Sequence, residues 1–248
     1  MPEKTLIRRL DIFARLADED KRRLTELCAH VETVPAKHDI VSDEERPEHL
    51  HLVLRGWAAR YKLLPGGERQ IVGFLLPGDF ADLHVTLLGQ MDHGIVALTP
   101  CRVAYVDSRA IDRLTADSTR VARALWWSTL VDEGVLRNWI VNNGRRDAYA
   151  RIAHLLCELH ARMQMIGLVE DHRLDLPLTQ EEIADATSLT SVHTNRTLQR
   201  LRADGLIELK SQVLRINDLP GLKRAAGFDA TYLHLKRRPL VDFSQPAA

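Results

Sequence analysis

Between about Val31 and Asp107 the apolar residues come in short runs separated by turn formers: HLHLVLRG, WAARYKLL, RQIVGFLL, GIVAL and CRVAYVD, with PGGE and PGD between some of them. Runs of this length bounded by Gly, Pro and Asp predict strands joined by tight turns. Within His49 to Leu54 and Ala58 to Leu63 the alternation is partial, and Pro65-Gly66-Gly67 supplies the positive-φ positions of a hairpin turn. A compact antiparallel β domain, a roll or barrel, fits this pattern best.

After Ser108 the period changes from two to about three and a half. Asp117-Ser118 is placed to cap a helix running to about Asn143, with Val121, Leu125, Ser128, Val131, Val135, Trp139 and Asn142 on one stripe. Trp126, Trp127, Leu130, Leu136 and Ile140 widen the apolar face, so one side is expected to pack on the β domain and the other on a partner helix. The stripe Val121, Leu125, Ser128, Val131, Val135 and Trp139 is assigned to a homodimer seam, with a purely internal helix as the alternative. Asn142-Asn143-Gly144 is expected to end the helix, because Gly accepts the left-handed conformation, and Asp147 to cap the next, from Ala148 to about Met165. The chain then divides into residues 1–116, a β domain with flanking N-terminal helices, 117–144, a dimerisation helix, and 145–248. A hinge is expected near Gly144 and a loose tail after Pro239.

The most informative stretch is LTQEEIADATSLTSVHTNRTLQRLRADGLIEL, Leu178 to Leu209, which reads as helix, turn, helix, wing. Thr179 followed by Glu182 is a capping box, and Ala184 is small enough for a second helix to cross closely. Thr187-Ser188-Leu189 makes the turn, and Thr190 or Ser191 caps a helix whose core side is Leu198 and Leu201. The opposite face carries Ser191, Val192, Asn195, Arg196 and Gln199 at the end that enters a major groove. Arg196 suits guanine O6 and N7, Asn195 suits adenine N6 and N7, and Val192 offers apolar contact such as a thymine methyl. His193, Thr194, Arg200 and Arg202 are placed for phosphate contact or packing, and Thr179 is counted among the DNA-binding residues. Strands at Leu206 to Leu209 and Val213 to Ile216 form a wing whose Lys210 and Arg215 could clamp the backbone.

Composition alters this picture little. The 248 residues carry 34 Lys and Arg against 34 Asp and Glu, so overall charge names no partner. Locally the balance is polarised: Glu170 to Asp185 has six acids and one base, whereas Ser191 to Arg224 has seven bases and three acids. Such a distribution steers phosphate to the reading helix. No apolar run approaches the length of a membrane span, and MPEKTLIRRLDIF lacks the apolar core of a secretion signal, so a cytoplasmic protein is expected. Cys28, Cys101 and Cys157 are scattered and form no CxxC pair, which argues for buried free thiols rather than disulfides or zinc. No GxSxG, HExxH, P-loop or GxGxxG occurs, and Asp43-Glu44-Glu45 and Glu181-Glu182 fit a loop and a helix N-terminus. No enzyme is expected. The rival from another class is a ligand-sensing signalling module whose winged domain binds protein rather than DNA.

A β-roll, a long helix and a winged helix-turn-helix in this order resemble the CRP/FNR family of bacterial transcription regulators, over about Leu10 to Leu219. LLPGGERQIVGFLLPGDF is similar to the family's central β-roll, and Leu178 to Leu209 to its DNA-binding motif. The resemblance implies an α+β fold: an N-terminal antiparallel, cupin-like jelly roll, a long dimerisation helix and a C-terminal winged helix-turn-helix. It also implies a homodimer on an inverted repeat of double-stranded DNA, acting with RNA polymerase and responding to an effector in or beside the roll. Ser191, Val192, Asn195 and Arg196 match the family's base-contacting positions. Val192 departs from the Glu of many members, and Ser188 from the Gly usual in the turn, which costs roughly 1 kcal/mol if that position is left-handed.

Cyclic-nucleotide-binding members have Gly-Glu and Arg-Ser or Arg-Thr in the phosphate cassette. The corresponding FADLHVTLLGQMDHGIVAL has no Arg, Lys or Glu, and Asp79, Asp82 and Asp92 would repel phosphate, so cyclic AMP is not expected. Iron–sulfur sensing needs four thiolates, and this chain has three cysteines. Haem could use His84 or His93 with a ligand near Pro2, which makes Asp82, His84 and His93 the candidate effector region. His49 and His51 share a strand face, read as polar rather than metal-binding, and no basic neighbour but Arg102 would activate a thiol. The effector is left unassigned.

Overall fold

In the computed structural model, residues 3–235 are described. The strands of the N-terminal half are β1 (Val31–Val34), β2 (Asp39–Val41), β3 (His49–Arg55), β4 (Ala58–Leu63), β5 (Arg69–Leu75), β6 (Gly94–Ala97) and β7 (Cys101–Asp107). They pair antiparallel in two sheets, ordered β1-β7-β3 and β2-β6-β4-β5, the expected jelly roll. The partial alternation is explained here, because β3 is buried from Leu50 to Leu54 and β6 throughout. In the β4–β5 turn Gly67 alone takes a positive φ, at 89°, and its N–H donates to the Leu64 carbonyl.

Helices α1 (Glu3–Ala14) and α2 (Asp18–Glu26) precede the roll, and the single turn α3 (Val85–Leu88) interrupts it. A short helix, α4 (Ser108–Asp117), leads out of it and was not marked by the hydrophobic pattern. Ser118 then caps α5 (Thr119–Arg145), its hydroxyl accepting from the Val121 N–H. α5 runs through Gly144, which corrects the expected stop: Gly144 has no positive φ, and the chain breaks at Arg146 instead (φ −80°, ψ 147°). The flanking Asn side chains are engaged elsewhere, Asn142 donating to the Arg151 carbonyl and Asn143 to the Ala186 carbonyl. With no left-handed cap, a glycine here costs only its usual helix penalty of about 1 kcal/mol.

Asp147 caps α6 (Ala148–Met165) as expected. Beyond it lie β8 (Arg173–Asp175), α7 (Gln180–Thr187), α8 (Ser191–Ala203), β9 (Ile207–Lys210), β10 (Val213–Ile216) and α9 (Leu219–Ala226), followed by a 3₁₀ turn at Ala230–Leu233. The wing is a three-stranded sheet, β8-β10-β9, turned by Ser211 and Gln212, both left-handed. The tail after Pro239 lies outside the described residues.

Two hydrophobic cores result. The first joins the roll interior to α1, α2, α4 and the start of α5. The second crosses the boundary expected near Gly144: Trp57, Ile71, Phe74 and Val96 of the roll pack with Val135 and Trp139 of α5, Ile152 and Leu156 of α6, and the wing. A buried polar chain runs through the same junction. Arg162 of α6 donates to the Phe74 carbonyl and to Asp79, which also meets Arg9 of α1. Glu158, fully buried, accepts from the Trp139 indole at 3.1 Å and from the Tyr232 hydroxyl at 2.7 Å. Tyr232 can come that close because Gly134 has no side chain: a Cβ there would stand 3.0 Å from the Tyr232 carbonyl oxygen.

Val121, Leu125, Ser128, Val131, Val135 and Trp139 are all buried within one chain, none more than 7% exposed. This corrects their assignment to a homodimer seam: Val121 and Leu125 belong to the first core, Val135 and Trp139 to the second, and Ser128 and Val131 are buried as well. Trp126, Leu130, Leu136 and Ile140 lie on the opposite, exposed side, with Ile140 73% exposed. Periodicity identifies a face that must be covered, not what covers it.

Candidate nucleic-acid interface and effector cleft

The helix-turn-helix is fixed by local chemistry before any packing. Thr179 and Glu182 form the reciprocal capping box at the start of α7, and Thr190 caps α8 by accepting from the His193 N–H. The turn residue Ser188 is left-handed (φ 51°, ψ 46°), the conformation for which Gly is usual. Arg151 of α6 holds this turn from behind, its guanidinium donating to the Thr187 carbonyl at 2.7 Å. Thr194, Thr197, Leu198 and Leu201 face inward, which places Thr194 in the core.

Ser191, Val192, His193, Arg196 and Gln199 are exposed on the other side of α8, with Asn195 half-buried beside them. Val192 is 65% exposed, a solvated aliphatic side chain at the leading end of the helix. Among the described residues no carboxylate or carbonyl engages the Arg196 guanidinium. Asn195 accepts from Gln180 of α7 at 3.3 Å, a partner that sequence reading missed. Arg200 lies over the Tyr149 ring, 4.5 Å from its centroid, which favours packing over phosphate contact for this residue. Val192, His193, Arg196 and Arg200 line a single surface depression with Asp147 and Tyr149. Thr179 is exposed at the start of α7, and Lys210 at the end of β9 on the wing.

The roll touches this motif directly. Arg69 of the β4–β5 hairpin pairs with Asp185 of α7 at 2.8 Å, and Gln70 donates to the Asp185 carbonyl while accepting from Ser188 Oγ at 3.0 Å. The first helix of the reading motif is therefore fastened to the sensor half by its polar edge.

A cleft of about 540 Å³ opens between the roll and α5, lined by Arg60, Lys62, Phe80, His84, Asp92, His93, Ser128, Asp132 and Glu133, among others. His84 and His93 are both here, as expected. Asp82 is not: it is fully buried and accepts from His51 Nδ1 at 2.6 Å and from the His51 N–H. Asp79 is likewise buried against Arg9 and Arg162. Of the three acids expected to repel phosphate, only Asp92 faces the cleft. His51, read as part of a polar strand face, is 4% exposed and packs on Tyr105. The cationic residues of the cleft were missed because they come from β4, outside the cassette. Arg60 is spent on the Phe80 and Ala81 carbonyls and on Asp132, and Lys62 on Asp43 and the Asp92 carbonyl. The suggested haem ligand near Pro2 lies outside the described residues.

All three cysteines are buried, and none forms a disulfide among the described residues. Burial pushes the Cys101 thiol up to about 11 and the Cys157 thiol up to about 12. Among the described residues no helix is long and apolar enough to cross a membrane.

Comparison with known proteins agrees with both halves. Residues 31–118 match the cyclic nucleotide-binding domain model, and residues 150–225 the Crp-like helix-turn-helix domain model. The nitrogen fixation regulation protein FixK of Bradyrhizobium diazoefficiens is 30% identical over 170 residues, covering 68% of this chain and 70% of that protein. The transcriptional activator protein FnrL of Cereibacter sphaeroides is 28% identical over 229 residues, covering 90% of this chain and 91% of that one. The solved structure of FixK2 from Bradyrhizobium japonicum superposes with a TM-score of 0.72 at 25% identity, covering 81% of this chain and 98% of that chain.

Proposed function

Since the chain belongs to the CRP/FNR family of transcription regulators, and is no enzyme, we propose that it works as a homodimer that reads an inverted repeat in double-stranded DNA. In this reading the two α8 helices enter successive major grooves about 34 Å apart, one helical turn of DNA. The observation that carries the reading is the exposed leading face of α8, where the Arg196 guanidinium, beside Ser191, Val192 and Gln199, has no partner among the described residues. Arg196 reads guanine, Asn195 adenine, and Val192 replaces a hydrogen-bonding reader with an apolar one. Thr179, His193 and Lys210 contact phosphate.

The dimer seam in this reading is the exposed stripe Trp126, Leu130, Leu136 and Ile140 of α5. Bulky apolar side chains along one exposed helix face are what a second, identical helix would cover. Regulation then follows from where the operator lies relative to RNA polymerase. Cyclic AMP is not the effector in this reading, because every cation facing the cleft is already neutralised or hydrogen-bonded within the chain.

Selection of bound duplexes from a random library with the purified full-length protein tests the proposal. Enrichment of two half-sites one turn apart, with a base preference that shifts in Arg196→Ala, is the expected result. An unstructured pool, or a motif indifferent to Arg196, would overturn it.

A further inference from the structure

His84 and His93 stand face to face in the cleft with their ring centroids 5.4 Å apart and planes tilted by 32°. His93 Nδ1 lies 2.6 Å from Asp92 Oδ1. A carboxylate at that distance fixes the proton on Nδ1 and leaves Nε2 as a lone pair. The Nε2 atoms of both rings are buried and have no hydrogen-bond partner. Two buried ring nitrogens without partners among the described residues, on rings 5.4 Å apart, are costly to leave unsatisfied, on the scale of a lost hydrogen bond each. One nitrogen or oxygen atom from each of His84, Asp92 and His93 already lies within 4.8 Å of the others.

The geometry points to a binding site for a divalent first-row transition-metal ion on His84, His93 and Asp92, at the mouth of the cleft between the roll and α5. Two imidazoles with one carboxylate suit Zn²⁺, Co²⁺ or Ni²⁺ and disfavour Mg²⁺ and Ca²⁺, which require oxygen donors. Around a four-coordinate ion the donors stand about 3.4 Å apart, closer than the 4.8 Å within which these atoms now lie, so the side chains close on the ion when it binds. The remaining positions open towards the cleft, leaving room for water or a small anion. Asp92 serves in either of two ways, as a direct ligand or through the Nδ1–H bond that orients His93, the pairing usual for metal-bound histidine.

The surroundings allow a cation there. The nearby positive charges are Arg60, held by Asp132 at 3.2 Å, and Lys62, held by Asp43 at 3.0 Å. The backbone positions the set: Lys62 grips the Asp92 carbonyl, and Gln90 donates to the Glu44 carbonyl beneath the same loop.

The test is a calorimetric titration of metal-stripped full-length protein with Zn²⁺, with Co²⁺ as an optical reporter. One ion per chain is expected, with a Co²⁺ d–d band, and affinity at least about tenfold weaker in His84→Gln and in His93→Gln. Asp92→Asn, on an exposed side chain, gives a second variant if either histidine change disturbs folding, and about tenfold weakening is expected there too. Absence of saturable binding, or unchanged affinity in all three variants, would overturn the assignment and place any Zn²⁺ elsewhere, for example on His160 and His172. The titration contains no DNA, so its failure is separate from failure of the DNA-reading proposal.

Discussion

Arg162 of α6 and Asp79 of the roll form a 2.9 Å ion pair closed to solvent on both sides, with 7% and 4% of the two side chains exposed. The pair joins the sensor half to the reading half, and a second cation, Arg9, shares the same carboxylate. Removing the anion leaves the buried Arg9 with only its 3.5 Å contact to Asp132 and the buried Arg162 with only its 3.6 Å contact to Glu158 as carboxylate partners. Asp79→Asn should therefore cost about 3–5 kcal/mol in urea denaturation, while Glu19→Gln, in the exposed Arg22–Glu19 pair, should cost less than about 1 kcal/mol. Equal losses would mean that the buried pair is not a structural tie.

Trp126→Glu with Ile140→Glu places charges on the exposed stripe of α5. Sedimentation should show folded monomers. The same charges at Val131 and Val135, which are buried within the chain, should unfold the protein instead. A folded dimer of the Trp126→Glu, Ile140→Glu double variant would move the seam off this stripe.

Arg196→Ala should lose about 1–3 kcal/mol of specific DNA binding and relax the preference at one base pair. Lys210→Ala should weaken all sequences alike and lower the salt slope by about one. Fluorescence anisotropy at several salt concentrations separates the two behaviours.

Ser188 adopts φ 51° in the helix-turn-helix turn. Ser188→Gly should raise the melting temperature, relieving about 1 kcal/mol of left-handed strain, because the Arg151 bond to the neighbouring Thr187 carbonyl involves only backbone on the α7 side and survives. A fall in melting temperature would show that the Ser188 Oγ bond to Gln70 outweighs the strain.

Burial pushes His154 and His160 down to about 4, with Arg146 adding to the effect at His154 and His172 at His160. Their unfolded value is near 6.5, so between about pH 6.5 and 4 the unfolded chain binds protons that the folded one refuses. The stability these groups contribute is complete above about pH 6.5 and is lost as pH falls towards 4, about 3 kcal/mol for each. Urea midpoints from about pH 7.5 to 4.5 should trace that decline, and His154→Leu should flatten it. An identical slope in the variant would assign the acid limb to other groups.

Much of the fold was legible because strand, turn and cap signals are local. The five strand runs, the Ser118, Asp147 and Thr179 caps and the α8 reading face each depend on residues within a few positions of one another. The errors came where the outcome depends on what lies across space. The stripe expected to form the seam is instead buried within one chain, because a 3.5-residue stripe is the same whether a partner helix or the roll covers it. Asp79 and Asp82 were read as facing a ligand, although Arg162 and His51, distant in sequence, claim them. The Gly144 stop failed because Asn142 and Asn143 find partners on α6 and α7. Arg60 and Lys62 reach the cleft from β4, a strand whose register alone brings them there.

The second hydrophobic core, built jointly from the roll, α5, α6 and the wing, has a bearing on modularity. A fragment beginning at Asp147 would carry every residue proposed to read bases yet expose the α6 surface that Phe74, Trp139 and their neighbours now cover. The reading half is thus no portable cassette. Grafted behind a different sensor it would lose its foundation, and exchange between relatives should succeed only when the roll face around Trp57 and Phe74 travels with it.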